Sequence, residues 1–201
     1  MKTIKTILPK TLIFIGCMTL LCGVLYPMTI TGIAQIFFQE KADGSIIEAD
    51  GIKYGSSLLG QKFTQPEYLW GRIVNPDLEM AKDEAGNPLF YGEPSNLSPA
   101  SEEYALLVAE RVAMIQEANP DAEASAVPVD LVTSSGSGMD PHISVEAARY
   151  QIPRIARERG ITEREVEAVI EECTTSRFAG VLGEKVVNVL LVNLTLDGKL
   201  Q

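Results

Sequence analysis

Thr11 to Gln39 reads TLIFIGCMTLLCGVLYPMTITGIAQIFFQ, 29 residues without a charge. About 20 predominantly apolar residues suffice to cross the hydrocarbon core of a bilayer. The run from Thr11 to about Thr31 meets that need, and the rest gives room for tilt or for a last turn at the interface. Phe37 and Phe38 suit the outer interface, where the charges Glu40 and Lys41 follow. Pro27 removes a backbone donor inside the run and predicts a bend or break. In a membrane such a break has to be satisfied by a side chain or a neighbour. Gly16, Gly23 and Gly32 give a thin face suited to close helix contact.

The flanks set an orientation. Lys2, Lys5 and Lys10 are the only charges in the first 39 residues, and the chain beyond the run begins acidic. The positive-inside rule then predicts residues 1–10 as a cytoplasmic tail, 11–38 as one transmembrane helix and 39–201 as an extracytoplasmic soluble domain. A cleaved signal peptide has an apolar core of only about 7 to 15 residues. The Phe14-Ile15-Gly16-Cys17 stretch loosely fits a lipoprotein cleavage site, but too few apolar residues precede it. The expectation is a retained single pass in the cell membrane.

The whole chain of 201 residues carries 17 basic and 27 acidic side chains, a formal net charge of -10. All 27 acids and 14 of the bases lie in residues 40–201, so that part is more acidic than the average suggests. This excludes a general nucleic-acid binder, whose footprint is basic. It also excludes adhesion to anionic lipid by charge alone, so lipid contact is expected through the span. Cys17 and Cys22 fall within the span and Cys173 is the only cysteine after it, which rules out a disulfide inside the domain. No CxxC and no zinc-ligand spacing occur, so no metal site is expected.

The soluble part mixes helix and strand signals, an α/β or α+β domain. Residues 40–56, rich in Gly and Asp, read as a short strand or connection, and Ser57–Phe63 as a small amphipathic patch. Residues 73–97 carry Pro76, Gly86, Pro88, Gly92 and Pro94 and read as loop. Ser98 is read as a helix cap with Pro99 at the first position, Tyr104, Leu107, Val108, Val112 and Ile115 as the apolar stripe, and Asn119-Pro120 as the end. A second helix runs from Ser144 to about Arg159, interrupted at Pro153 and closed by Gly160. A third starts on the capping-box pair Thr162 and Glu165, with Val166, Val169 and Ile170 inward. Val186 to Leu196, VVNVLLVNLTL, reads as a strand by its β-branched content.

Chemistry concentrates in Val127 to Ser144, VPVDLVTSSGSGMDPHIS. Successive N–H groups in a Ser/Gly loop of this kind can cradle an anion, although no Gly-Lys-Ser/Thr follows to make a Walker motif. A structural turn, with Gly136 and Gly138 in conformations closed to other residues, is the plainer reading. A hydrolase would use Ser135 (or Ser134 or Ser137) as nucleophile and His142, the one histidine, as base, but no G-x-S-x-G elbow is present. Asp130, Asp140 and His142 could be combined as metal ligands, but Asp140-Pro141-His142 reads more simply as a turn in which the Asp or Ser144 caps the next helix. Arg149, Arg154, Arg157 and Arg159, with Arg164 beyond, read either as a salt-laced solvated face, pairing Arg154 with Glu158 and Arg149 with Glu146, or as a basic patch shared with Tyr150 and Gln151.

Read together, these segments resemble the C subunit of the bacterial Kdp-type high-affinity potassium-transporting ATPase over nearly the whole chain. The resemblance runs from the lysine-flanked span with Leu25-Tyr26-Pro27, through Gly55–Phe63, Tyr68–Arg72 and Ser95-Asn96-Leu97, to the strongest block, Val127–Thr133 and Ser135–Ser144. Ala148, Tyr150-Gln151, Arg154-Ile155-Ala156, Gly183-Glu184, Val187–Leu190 and Asn193-Leu194 complete it. Departures are Ile73-Val74 for a Pro-Ser pair, Glu93-Pro94 for a glycine-rich lead, Ser98 for glycine, Met139 for leucine and Lys185 for proline. They touch turn details, and within the strongest block only Met139 departs.

The resemblance implies a non-catalytic accessory subunit of an ATP-driven potassium uptake complex, with potassium as the ion carried. It implies three partners: a channel-like potassium-binding subunit, a P-type ATPase subunit and a very small membrane subunit. The family's C subunit is described as a catalytic chaperone that raises the pump subunit's ATP affinity. No tightly bound cofactor is implied. Transient ATP contact would fall on Ser135, Gly136, Ser137, Gly138 and Gln151. A single span with its N-terminus inside puts those residues outside, away from cytoplasmic ATP. The charge asymmetry therefore favours a different expectation, that the exterior domain docks on the channel-like subunit and stabilises the assembly or its outer entrance.

Overall fold

The computed structural model describes residues 2–74, 86, 95–122 and 127–200. The chain divides into two units, Met1–Ile46 and Ile47–Gln201. The loop read over 73–97 falls largely outside the described residues.

The first unit is almost entirely helix: α1 (Lys2–Leu20), a π-helical turn (Leu21–Leu25) and α2 (Tyr26–Phe37), joined without a break. Lys5–Phe37 contains an 18-residue stretch with a mean hydropathy of 2.0, none of it buried. The disturbance predicted at Pro27 takes the form of the π turn just before it. Tyr26 donates its N–H to the Leu21 carbonyl, five residues back. Pro27 has no N–H to offer, so the tighter ladder cannot resume at that point. Phe38 leaves helical geometry at φ -141° and is followed by the single turn α3 (Gln39–Ala42). Gln35 then donates to the Asp43 carboxylate at 3.1 Å.

The second unit opens within the hairpin β1 (Ile46–Ala49) and β2 (Ile52–Ser56), whose first residue closes the first unit. Its tip is Asp50-Gly51 with φ 54° and 74°, the positive pair that a two-residue turn between twisted strands requires. A three-stranded antiparallel sheet follows, built from β3 (His142–Ser144), β4 (Thr174–Thr175) and β5 (Val186–Asn188) in the order β3-β5-β4. Ile143 faces Val187 in register, and both are buried. Helices α4 (Glu102–Ala118), α5 (Val145–Tyr150), α6 (Ile152–Arg159), α7 (Glu163–Glu172) and α8 (Val189–Leu196) complete the unit. Leu69, Ile115, Leu131, Ile155, Val166, Ile170 and Val192 are among the residues of a single core. The architecture is one apolar helix followed by an α+β domain.

Local signals explain most boundaries. Ser144 caps α5 by accepting from Ala147 N–H at 3.1 Å, and Gly160 closes α6 at φ 66°. Thr162 and Glu165 form both halves of the capping box on α7. The break between α5 and α6 lies at Gln151, two residues before Pro153. Three expectations need correction. α4 is capped by Ser101, which accepts from Tyr104 N–H at 3.2 Å, and not by Ser98. Only Val186–Asn188 of the predicted last strand is strand. Asn188 turns its amide oxygen to Leu191 N–H and starts α8, a helix apolar on every side because both its faces are packed. The arginines of α5 and α6 do not pair as their spacing suggests. Arg149 reaches across to Glu167 and Glu171 on α7, and Glu158 meets Arg157 instead of Arg154.

Candidate functional site

The Ser/Gly loop is held from several sides. The N–H groups of Gly138, Met139 and Asp140 donate to Ser135 O, Ser137 Oγ and Ser135 Oγ at 3.1, 3.2 and 3.3 Å. Three donors that an anion nest would offer are thus taken by the loop's own oxygens. Gly60 donates to Met139 O at 2.8 Å, and a Cβ on Gly60 would sit 2.6 Å from Asp140 O. Only glycine fits there without displacing main chain.

Below the loop Asp130 and Asp140 share Arg72, at 2.9 Å to Asp130 and 3.4 Å to Asp140. Asp130 also accepts from Ser144 N–H at 2.8 Å, and Asp140 from His142 N–H at 2.9 Å. The His142 ring lies 3.6 Å from Asp140. Each carboxylate thus locks one end of β3. Ser135 Oγ meets Ser137 Oγ at 3.3 Å, and among the described residues no hydrogen bond joins either serine to His142. No group of three or more His, Cys, Asp or Glu arranged to hold a metal ion occurs among the described residues.

Gln151 and Arg154 do meet, at 2.6 Å, but facing inward. Gln151 is 0% exposed and Arg154 1%. The Gln151 amide accepts from Trp70 N–H at 2.9 Å and donates to Trp70 O at 3.0 Å and Ala147 O at 3.1 Å. Asn193 treats Leu69 the same way, accepting from its N–H at 2.8 Å and donating to its carbonyl at 3.0 Å. Two side-chain amides therefore replace the strand partner that this buried, irregular segment lacks. Arg154 donates to Asn119 at 2.9 Å, to Tyr68 O at 3.0 Å and to Pro66 O, and stacks 4.5 Å from the Trp70 ring. Burial is the main force pulling its guanidinium down to about 10. Arg159 holds Glu67 O at 2.7 Å, Leu196 O at 2.8 Å and Asp197 at 2.8 Å. The arginine cluster divides: Arg149 and Arg157 lie on a solvated face in ion pairs with Glu167, Glu171, Asp121 and Glu158, whereas Arg154 and Arg159 face inward. Arg154 and Arg159 clamp Pro66–Trp70 onto α6.

The feature that sequence reasoning missed is a surface. Phe178 and Leu182 pair across a tight turn, with Phe178 N–H donating to Leu182 O at 2.8 Å. Phe178 stands 77% exposed, with Val181 and Leu182 beside it also in solvent. Arg177 and Glu184 form an ion pair at the base of the loop. A cavity of about 680 Å³ adjoins it, lined among others by Val145, Arg149, Ile170, Lys185 and Glu184. An apolar centre with a charged rim is the usual anatomy of a protein–protein contact. Phe178-Ala179-Gly180-Val181-Leu182 is the sequence signal: an apolar run around a turn glycine, without the periodicity of a buried element.

The family described as KdpC, the K+-transporting ATPase c chain, matches residues 8–198. A Potassium-transporting ATPase KdpC subunit of Clostridium perfringens is 57% identical over 195 residues, covering 97% of this chain and 98% of the relative. Its counterpart in Clostridium botulinum strain Alaska E43 is 53% identical over 201 residues, covering the whole of both chains. One from Listeria monocytogenes is 45% identical over 202 residues, covering 98% of each. With a match of this extent, an apolar helix long enough to cross a bilayer and an α+β domain behind it, the chain belongs to the KdpC family, the c chains of K+-transporting ATPases.

Proposed function

We propose that this chain is a non-catalytic accessory subunit of an ATP-driven high-affinity potassium uptake complex, and that it acts by docking. Its helix crosses the membrane once with the N-terminus in the cytoplasm. Its α+β domain then sits outside and binds the channel-like potassium-binding subunit, beside a P-type ATPase subunit and a small membrane subunit. The observation that carries the docking is the exposed tip of Phe178, Val181 and Leu182. Water-exposed side chains of this size are stabilised when a partner covers them. Assistance to the pump, including any rise in its ATP affinity, passes through the assembled complex. Support for this over direct ATP contact at Ser135, Gly136, Ser137, Gly138 and Gln151 comes from the internal use of the loop's N–H groups and from the burial of Gln151. A hydrolase working through Ser135 and His142 has no comparable support.

The test is a triple substitution, Phe178→Ser, Val181→Ser and Leu182→Ser, in the full chain expressed with its sibling subunits. Co-purification from detergent-solubilised membranes and potassium uptake are expected to fall together, while the thermal midpoint of the isolated chain stays within experimental error. Unchanged recovery of the complex would remove the tip from the interface. Labelling of a cysteine at Leu106, exposed and outside the docking tip, by a membrane-impermeant reagent in intact cells checks the side: no labelling until the cells are opened would reverse the orientation.

A further inference from the structure

A cavity of about 480 Å³ opens beside α4, a size that suits a small ligand. Its walls are mostly apolar, with Phe63, Trp70, Leu107, Ile115 and Leu131 among them. None of its lining residues belongs to the Phe178 tip or to the Ser/Gly loop.

One charge in that wall is out of balance. Arg111, on α4, lines the cavity and is 9% exposed. Its Nη1 donates to Val132 O at 3.1 Å, the one hydrogen bond its guanidinium makes among the described residues. The donors on Nε and Nη2 are left over. Among the described residues no carboxylate forms an ion pair with it. Asp130 and Asp140 are taken up by Arg72, which lines the same cavity, and by the N–H groups of Ser144 and His142. The Arg72 Nε is itself buried without a hydrogen bond. Glu110 precedes Arg111 in the chain but is exposed. Burial pulls the Arg111 guanidinium below the usual arginine range, and Tyr104 and Glu110 offset this only in part.

A buried charge without a partner is costly, and an anion beside it removes much of that cost. The exposed charges of the lining, Lys62 and Glu110, are of opposite sign. Selection by charge therefore falls to the interior, where Arg111 is the uncompensated group. A carboxylate matches the guanidinium fork, and one negative charge balances one arginine. A phosphate group would bring more charge than Arg111 can balance. The apolar walls ask that the rest of the ligand be hydrocarbon.

We propose that this cavity binds a small organic acid, a monocarboxylate with an aliphatic or aromatic body, its carboxylate on Arg111 and its body against Phe63, Leu107 and Trp70. The site does not depend on docking through the Phe178 tip.

The test uses the full chain in lipid nanodiscs, titrated with hydrocinnamate and, separately, with hydrocinnamyl alcohol, hydrocinnamyl amine and acetate. Calorimetry reads binding, and Trp70 emission reads whether the probe reaches the wall. The acid is expected to saturate one site and to bind at least about tenfold tighter than the alcohol, with the amine and acetate weaker still. Arg111→Met should reduce the acid to the affinity of the alcohol. Its thermal midpoint should hold or rise, because an apolar replacement removes a buried charge. Leu107→Phe narrows the cavity with Arg111 in place and should weaken acid and alcohol alike by about threefold or more. That variant carries the test if Arg111→Met does not fold. Equal affinity for acid and alcohol overturns the proposal, as does a preference for the acid that survives Arg111→Met. Acetate binding as tightly as hydrocinnamate means an adventitious anion contact only and overturns it too. So does binding that Leu107→Phe leaves unchanged. Repeated on the complex with its sibling subunits, the titration should give the same affinity within about twofold. Loss of binding there assigns the cavity to a sibling's side chain and removes the free ligand.

Discussion

Leu12 and Leu69 are the same side chain under opposite rules. Leu12, on the N-terminal helix, is 60% exposed, and Leu69, in the domain, is 0% exposed. The helix gathers apolar side chains on all sides and buries none of them. The domain hides Leu69 and the rest of its core and fills the gaps with amides and guanidinium groups that answer the carbonyls of Pro66–Trp70. In the helix the side chains ask nothing of their surroundings and the main chain at the π turn is short of donors. In the domain the main chain of Pro66–Trp70 has been answered by Asn193, Gln151 and Arg154. The same need, a partner for each backbone polar group, is met by buried side chains in the domain, whereas Pro27 withdraws a donor from the helix.

That contrast can be broken most severely at Arg154. Arg154→Leu removes the donor to Asn119, Gln151, Tyr68 O and Pro66 O at once. Stranding buried acceptors around a lost charge costs about 3–5 kcal/mol, and denaturant unfolding of the solubilised chain should register most of it. The mirror experiment is Val24→Lys, which adds a charge where the helix has none. A lysine near the bilayer centre costs about 2.5–3.5 kcal/mol, so alkaline extraction should recover much less of the variant in the membrane fraction. Asn193→Leu keeps the volume but abandons both polar atoms of Leu69, and the expected loss is about 1–3 kcal/mol of unfolding free energy.

The smallest expected effect is at the surface of the domain. The Thr162 N–H and hydroxyl, both bonded to Glu165, hold its carboxyl below the usual carboxylate range. A folded-state value lower than the unfolded one gives stability that is complete above the unfolded value. It is lost as pH falls through the folded one. Glu165→Gln should therefore lower the thermal midpoint slightly at neutral pH and by a vanishing amount once the solution is acid enough to protonate the wild-type side chain. A difference that persisted in acid would mean that shape, not charge, matters at this cap.

What the sequence disclosed follows the range of the interactions. The apolar helix was legible because hydropathy is summed over neighbours. So were the ends of α5, α6 and α7, where Ser144, Gly160 and the Thr162–Glu165 pair act within four residues. The beginning of α8 was misread because VVNVLLVNLTL has no polar face, and packing on both sides suits helix and strand alike. The Asn at its head was the unused clue. Gln151 was singled out as a surface contact, but its partner Trp70 is 81 residues away, and no local pattern announces such a bond. Pro27 gave the position of the break, while its form as a π turn came from the structure.

Trp70 is the one tryptophan in the chain. Its ring lies against the Arg154 guanidinium, and its Nε1 donates to Gln65 O at 2.9 Å. The residue is thus an optical probe placed by nature on the charge at the centre of the domain. Its emission is expected to change when the clamp opens and the ring loses the cation. Excited at the red edge of protein absorption, a solution of this chain reports on one spot, and that spot is where the polar network converges.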